Sequence, residues 1–239
     1  MALVHNAMIR GFNSIYQQAP WVMEDHKPAF VGYGLTWAKF VLSHHDDEEH
    51  TLFKKVSVVL DDDEIWESTH KEHEAVTDGI AIFQGYLKGL ADPRNLTAQT
   101  LIKIMDDLLP AFEEHMHSEV KVIAALDKHP RAPLEGSDEA IRAKNVFAEW
   151  GKKTITKAGL LDVLPFFLLN LDKTFEDSTW ADWPPMPKPI RWTFINIVGM
   201  LRGKQMKFAS CDSDGMPKEL WVYNPKDAKA AKEKKKGKK

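Results

Sequence analysis

A single cysteine, Cys211, in 239 residues excludes an intramolecular disulfide framework and any Cys-rich zinc or iron–sulfur site. No stretch of eighteen apolar residues occurs, which excludes a membrane-spanning helix. The opening MALVHNAMIRGF meets His5 and Arg10 too early for the apolar core of a secretory signal. The glycine-rich phosphate loops G-x-x-x-x-G-K-[ST] and G-x-G-x-x-G are missing, as is the His-Glu-x-x-His signature of helical zinc proteases. Cys211 has no histidine near it in sequence to activate a thiol. Histidine itself is absent beyond residue 129, although almost half the chain remains.

The net charge of −3 conceals an asymmetry. From Lys226 to Lys239, eight lysines against Asp227 and Glu233 give a segment of net +6, leaving −9 on the rest of the chain. An acidic body argues against a nucleic-acid groove, and neither a nucleic acid nor a membrane is an expected partner. Residues 226–239 contain no apolar residue larger than alanine and read as a disordered Lys-rich tail. An intracellular, cytoplasmic protein is the expectation, with a nuclear location left open by that tail.

Four apolar stripes at helical spacing occupy the first half. The first, over residues 1–17, joins Met1, His5, Met8, Phe12 and Ile15. The second begins after Pro28 and runs to Asp61-Asp62-Asp63, with Trp37, Val41, His44, Glu48, Leu52, Val56 and Val59 in phase. The third starts near Glu64 and carries Trp66, His73, Val76, Ile80, Phe83, Leu87 and Leu90; Asp92-Pro93 breaks it. The fourth opens at Thr97, a residue suited to an N-cap, and carries Leu101, Ile104, Leu108, Phe112, His115, Glu119, Val122 and Leu126. Pro110 should kink it or mark a late start of its regular part. The pattern predicts an all-α fold, an antiparallel up-down-up-down four-helix bundle over residues 1–130. Residues 131–225 are expected to form a helical or irregular extension packed on the bundle. Within it, 138–158 reads as a helix, the apolar run 160–171 and the tryptophans at 180, 183 and 192 require cover, and 207–223 has the turn chemistry of a short hairpin.

Every one of the four stripes contains a histidine, and two add a glutamate four residues on. A buried carboxylate is costly unless it is paired or bound to metal. Residues at i and i+4 share a helix face, so His44–Glu48 and His115–Glu119 can each aim an imidazole and a carboxylate at one point. One H-x-x-x-E on a helix is ordinarily a surface ion pair, and a lone His5 or His73 is ordinarily a core residue. The ordered series of one histidine, H-x-x-x-E, one histidine, H-x-x-x-E is the sign of a two-metal site in a bundle core. Its nitrogen and oxygen donors suit iron or manganese. On a helical wheel His45–Glu49 has the same spacing and is not separated from His44–Glu48.

The segment His44-His45-Asp46-Asp47-Glu48-Glu49-His50-Thr51-Leu52-Phe53, with Lys71-Glu72-His73-Glu74, His115-Met116-His117-Ser118-Glu119 and His5 within LVHNAMIRGF, resembles the hemerythrin-like, or HHE cation-binding, family. The resemblance covers roughly residues 1–129. It implies a bundle around a non-heme di-iron centre, with two metal ions, iron foremost and manganese or zinc as alternatives. Its gapless register places the second-helix ligands at His44 and Glu48, giving the set His5, His44, Glu48, His73, His115 and Glu119. His45, His50 and His117 then fall beside the ligands or on the surface, and Glu49 on a solvated face.

Oxygen-carrying relatives resemble a five-histidine, two-carboxylate pattern with H-x-x-x-H in the third helix. Here that helix offers His70-x-x-His73, and position 77 is threonine. A count of four histidines and two glutamates, with His70 as a questionable extra, shifts the expectation from oxygen carriage towards redox chemistry or iron sensing. The leading reading is a di-metal protein that binds or reduces a small diatomic or peroxide ligand, such as O2, NO or peroxide. The alternatives are a di-iron oxidase or oxygenase acting on an organic substrate beneath the second half of the chain, and an iron-responsive interaction module.

Overall fold

The computed structural model describes residues 1–223, and the Lys-rich segment 226–239 lies outside the described residues. Four long helices come first along the chain. Helix α1 spans Ala2–Gln18, α2 Lys27–Asp47, α4 Glu67–Lys88 and α5 Ala98–Ala124. Between α2 and α4 the chain stays helical through a π-turn, Glu48–Leu52, into α3, Phe53–Leu60. Asp61 ends that rod in the left-handed conformation, φ 48°, a conformation that short acidic side chains tolerate. Helix α1 touches α2, α2 touches α4, α4 touches α5, and α5 returns to α1. The four elements therefore close a ring, and their apolar stripes meet inside it.

The stripes bury as expected in α1 and α4, where Met8, Phe12, Ile15, Val76, Ile80 and Phe83 are inaccessible or nearly so. In the second segment Leu52 and Val56 of the expected stripe are buried beyond the π-turn, joined by Phe53 and Leu60, whereas Val59 is only half-buried. Leu60 follows Val56 by four residues and so continues its face of α3, with Val59 at the edge of that face. Pro110 does not break α5, which is continuous from Ala98 to Ala124.

The second half adds α6, Asp138–Ala158, and α7, Val163–Leu168, followed by short turns at Lys188–Thr193 (α8), Gly199–Leu201 (α9) and Gly203–Met206 (α10). Ser137 caps α6 through its side chain, which accepts from the Ala140 amide. Every residue of α7 is buried, and the helix plugs the bundle. Phe166 packs on Tyr33 and Phe40, with ring centres 4.8 and 6.1 Å apart, and Phe208 packs on Phe30 at 4.9 Å. At Gly11, a β-carbon would come within 2.7 Å of the Phe166 ring and 2.8 Å of Trp37, so the absence of a side chain there sets how closely α1 approaches. One apolar core accordingly runs from α1, α2, α4 and α5 into α7, Phe208 and Ala209.

Two expectations for the second half need correction. Trp183 packs on Phe167, but Trp180 and Trp192 are 45% and 59% exposed, so only part of the segment is covered. The hairpin is reduced to one antiparallel bridge, Cys211 to Pro217, around a turn closed by Gly215 at φ 84°. No strand is present among the described residues; Pro217, which has no amide hydrogen to donate, is a poor residue on which to extend a ladder.

Because α7 and Phe208 cover Phe30, Tyr33 and Phe40, a chain ending at Arg131 should expose this aromatic face. Deleting the several large side chains that cover it removes more burial than a marginally stable domain can spare. The expected outcome is aggregation or a much lower melting temperature by circular dichroism. A soluble 1–131 fragment as stable as the whole chain would show that the extension is dispensable for the fold.

Candidate metal centre

The bundle is interrupted part-way along by a layer of polar side chains. His5 from α1, His44 and His45 from α2, Glu48 from the start of the π-turn, His73 from α4, and His115 and Glu119 from α5 all point inward and are at most 4% exposed. They form two groups. His5, His44, Glu48 and Glu119 each offer an atom within 4.8 Å of the others, and so do His45, His73 and His115. Glu48 joins the groups: its Oε1 lies 3.0 Å from His44 Nε2 and its Oε2 3.7 Å from His73 Nε2. His5 Nε2 is 3.0 Å from Glu119 Oε2.

His45 is the main departure from the sequence-based expectation. It is buried between His73, stacked at 4.2 Å, and His115, at 4.7 Å. Neighbouring residues of a helix differ by about 100° around its axis. His44 and His45 therefore diverge into the two different groups, so the choice between them was a false one. With His45 the inventory is five imidazoles and two carboxylates, and the argument from a carboxylate-rich site falls. His70 is not an extra inward donor; it is half-exposed and its Nδ1 lies 2.7 Å from a Glu49 oxygen. His50 and His117 lie on the surface, each held to a backbone carbonyl four residues back.

The outer nitrogens of two imidazoles are hydrogen-bonded from outside the layer, and a carboxylate lies near that of a third without bonding to it. His5 Nδ1–H donates to the Met116 carbonyl at 3.1 Å. His73 Nδ1–H donates to Glu49 at 2.6 Å, and Glu72 lies 3.4 Å from His115 Nδ1 while accepting from the Ser118 hydroxyl. Such partners fix the tautomer and leave Nε2 as a free lone pair facing inward, the usual arrangement of a metal-ligating histidine. Glu49, expected on a solvated face, is instead the carboxylate that holds His73. Burial raises its pKa, but the bonds from His70 and His73 outweigh this and hold it below the ordinary carboxylate range.

No protein group satisfies the inward atoms. Both nitrogens of His44, His45 and His115, both oxygens of Glu48 and Glu119, His5 Nε2 and His73 Nε2 are buried without a hydrogen-bond partner. An ion-pair network would need charged imidazoles. Burial, aided by the neighbouring histidines, drives His44 and His45 well below their ordinary values and His115 down to about 2. His73 is lowered too, mainly by burial. Glu48 is raised well above its ordinary value, first by burial and then by Glu119. Each orphaned buried polar atom costs on the order of 1–3 kcal/mol. Neutral imidazoles converging with carboxylates on two points fit divalent or trivalent cations, and no group among the described residues satisfies them.

The hemerythrin HHE cation-binding domain matches residues 1–126. The chain belongs to this family. A curated relative, "Dimeric xanthone biosynthesis cluster protein R11" of Cryptosporiopsis sp. (strain 8999), is 24% identical over 221 residues, covering 92% of this chain and 80% of that protein. No solved structure matches the chain significantly. This hemerythrin-like chain binds metal ions through its domain, and no described helix is long and apolar enough to cross a membrane.

Two outcomes follow for the centre. His45→Ala should remove one of the three donors of the second group and lower the metal bound per chain, as read by elemental analysis; His117→Ala should leave it unchanged. In metal-free protein, His44, His45, His73 and His115 resist protonation when folded but protonate near pH 6.5 when unfolded. At these four groups the unfolded state then binds more protons, outweighing the one proton that folded Glu48 retains, so stability falls as pH drops below about 6.5. Melting temperatures of chelated protein across that range check the sign, and metal restored at neutral pH should raise them.

Proposed function

We propose that this hemerythrin-like protein holds a pair of iron ions, with Glu48 facing both, and uses them to bind or reduce a small ligand such as O2, NO or peroxide. The observation that carries the reading is the pair of converging donor groups, His5–His44–Glu48–Glu119 and His45–His73–His115, joined through one carboxylate. Manganese and zinc share these donors; the family's usual metal favours iron. The iron pair, when bound, supplies redox equivalents and coordination positions open to a small ligand.

The chain's own residues prepare that site. Glu49 and the Met116 carbonyl hold the imidazoles of His73 and His5 in place, so little reorganisation is needed at these two ligands on loading. Near-complete burial excludes bulk water and strengthens every electrostatic interaction inside. Depressed imidazole basicity keeps the nitrogens unprotonated and available below pH 6. A groove of about 620 Å³ lined by His45, Glu49, His70 and His73 gives an ion or a small ligand a route from solvent to the second donor group.

A second reading, oxidation of an organic molecule at the same centre, is favoured by one observation. A cavity of about 360 Å³ opens against Val4 and Trp150, beside the first donor group. The relative's name, which ties that protein to a dimeric xanthone biosynthesis cluster, supports the same reading.

Metal analysis of purified protein, with an absorption spectrum recorded in air, tests the proposal. Two irons per chain and near-ultraviolet charge-transfer bands that respond to nitric oxide or hydrogen peroxide are expected. A fully helical protein that takes up no added iron would overturn it.

A further inference from the structure

The acidic charge of the body is an average that one segment contradicts. Residues 183–211 hold five lysines and arginines and no aspartate or glutamate. Four of these cations, Lys188, Arg202, Lys204 and Lys207, are exposed. The same segment folds as α8, a π-turn at Phe194–Val198, α9 and α10. One side of it packs inward through Ile195 and Gly199, with Arg191 and Phe194 half-buried beside them. The other side carries Ile190, Trp192, Ile197, Met200 and Leu201, which are between 46% and 74% exposed. Large apolar side chains gathered within twelve residues of chain and left in water mark an interaction surface.

Charge and shape say what covers it. Basic residues flank the apolar ones with no acid between them, so the partner is anionic. A second copy docked symmetrically through this face would set five cations against five. The face also protrudes: none of its five apolar residues lines any of the four principal cavities of the molecule. A protein partner's anchoring side chain would therefore find no pocket to fill. Headgroups and acyl chains, by contrast, yield around tryptophan and aliphatic side chains, while lysine and arginine stay at the level of the phosphates. The chain also supplies a second attraction nearby. Lys207 Nζ lies over the Trp221 ring at 4.8 Å, and Trp221 packs on Phe208 at 5.0 Å. The described residues therefore end, at Tyr223, beside the close of this segment, and the eight lysines of 226–239 follow in sequence.

We propose that the face of Ile190, Trp192, Ile197, Met200 and Leu201, flanked by Lys188, Arg202 and Lys204, docks this protein on the surface of an anionic lipid bilayer. The segment lies along the interface with its apolar side chains about 5–10 Å into the headgroup boundary, and no described helix is long and apolar enough to cross. Apolar insertion and basic charge are the two signals that stable attachment to a membrane surface takes.

Sedimentation of the full-length protein with vesicles tests the proposal. Saturable binding is expected to vesicles of phosphatidylcholine and phosphatidylserine in a two-to-one ratio. Binding at least tenfold weaker is expected to phosphatidylcholine alone, and to the mixed vesicles in high salt. The double variant Trp192→Ser with Leu201→Ser should weaken binding to the mixed vesicles about tenfold or more, as should Arg202→Glu with Lys204→Glu. Because these side chains are exposed, the melting temperature and metal content of both variants should match the wild type. Val58→Ser, at an 82% exposed residue of α3, should change nothing. Absence of binding to the mixed vesicles would overturn the assignment. So would binding indifferent to Trp192→Ser with Leu201→Ser, which would leave adsorption by the Lys-rich sequence alone. Dimerisation abolished by that double variant, without vesicle binding, would assign the face to a second copy instead.

Discussion

The cost of putting five imidazoles and two carboxylates into the interior of a helix bundle governs this molecule. Each helix would be more stable with an apolar residue at those positions, and the inward lone pairs have no hydrogen-bond partner among the described residues. Paired charges cannot offset that cost, because burial keeps the imidazoles of His44, His45 and His115 neutral. A bound cation can. Metal affinity and fold stability are therefore two views of one free energy, since the unfolded chain does not bring residues 5, 44, 45, 48, 73, 115 and 119 together.

Much of this is legible in the amino-acid sequence. Helical periodicity locates the four long helices and α6, because their apolar stripes repeat over several turns. Histidine and glutamate in phase with those stripes mark the layer. What escapes is local. A wheel presents His44 and His45 as alternatives, because it assumes one target per helix face. The bundle presents two targets about 100° apart. Val59 and Leu60, both apolar and three and four residues after Val56, are likewise not separated by spacing alone, and only Leu60 is buried. Glu49 and Glu72 could be found by asking which carboxylates follow or precede an inward histidine by a turn or by one residue, but many surface glutamates meet that test.

The second half resists reading because its elements are short and depend on the bundle for burial. Helix α7 is six residues long and apolar on every side, so it has no stripe to detect. It makes sense only as a plug against Phe40 and Tyr33. The segment from Lys188 to Leu201 leaves Ile190, Trp192, Met200 and Leu201 largely exposed, and hydrophobicity alone wrongly places its tryptophan inside. The metal-bearing layer and its supporting carboxylates come from the first 126 residues, while α6 and α7 bring the aromatic walls beside it. Family membership thus accounts for the centre, and the extension for its surroundings.

The polar layer has one further effect. It separates the large core, which includes Met8, Trp37, Phe83 and Phe112, from a smaller cluster of Leu52, Phe53, Val56, Leu60, Trp66 and Trp150. Apolar contact is what ordinarily makes neighbouring parts of a domain unfold together. Here the two clusters are joined instead by backbone that runs through the layer, in the continuous rod of α2, its π-turn and α3, in α5, and in α6, which gives Trp150 to one cluster and Ile155 to the other.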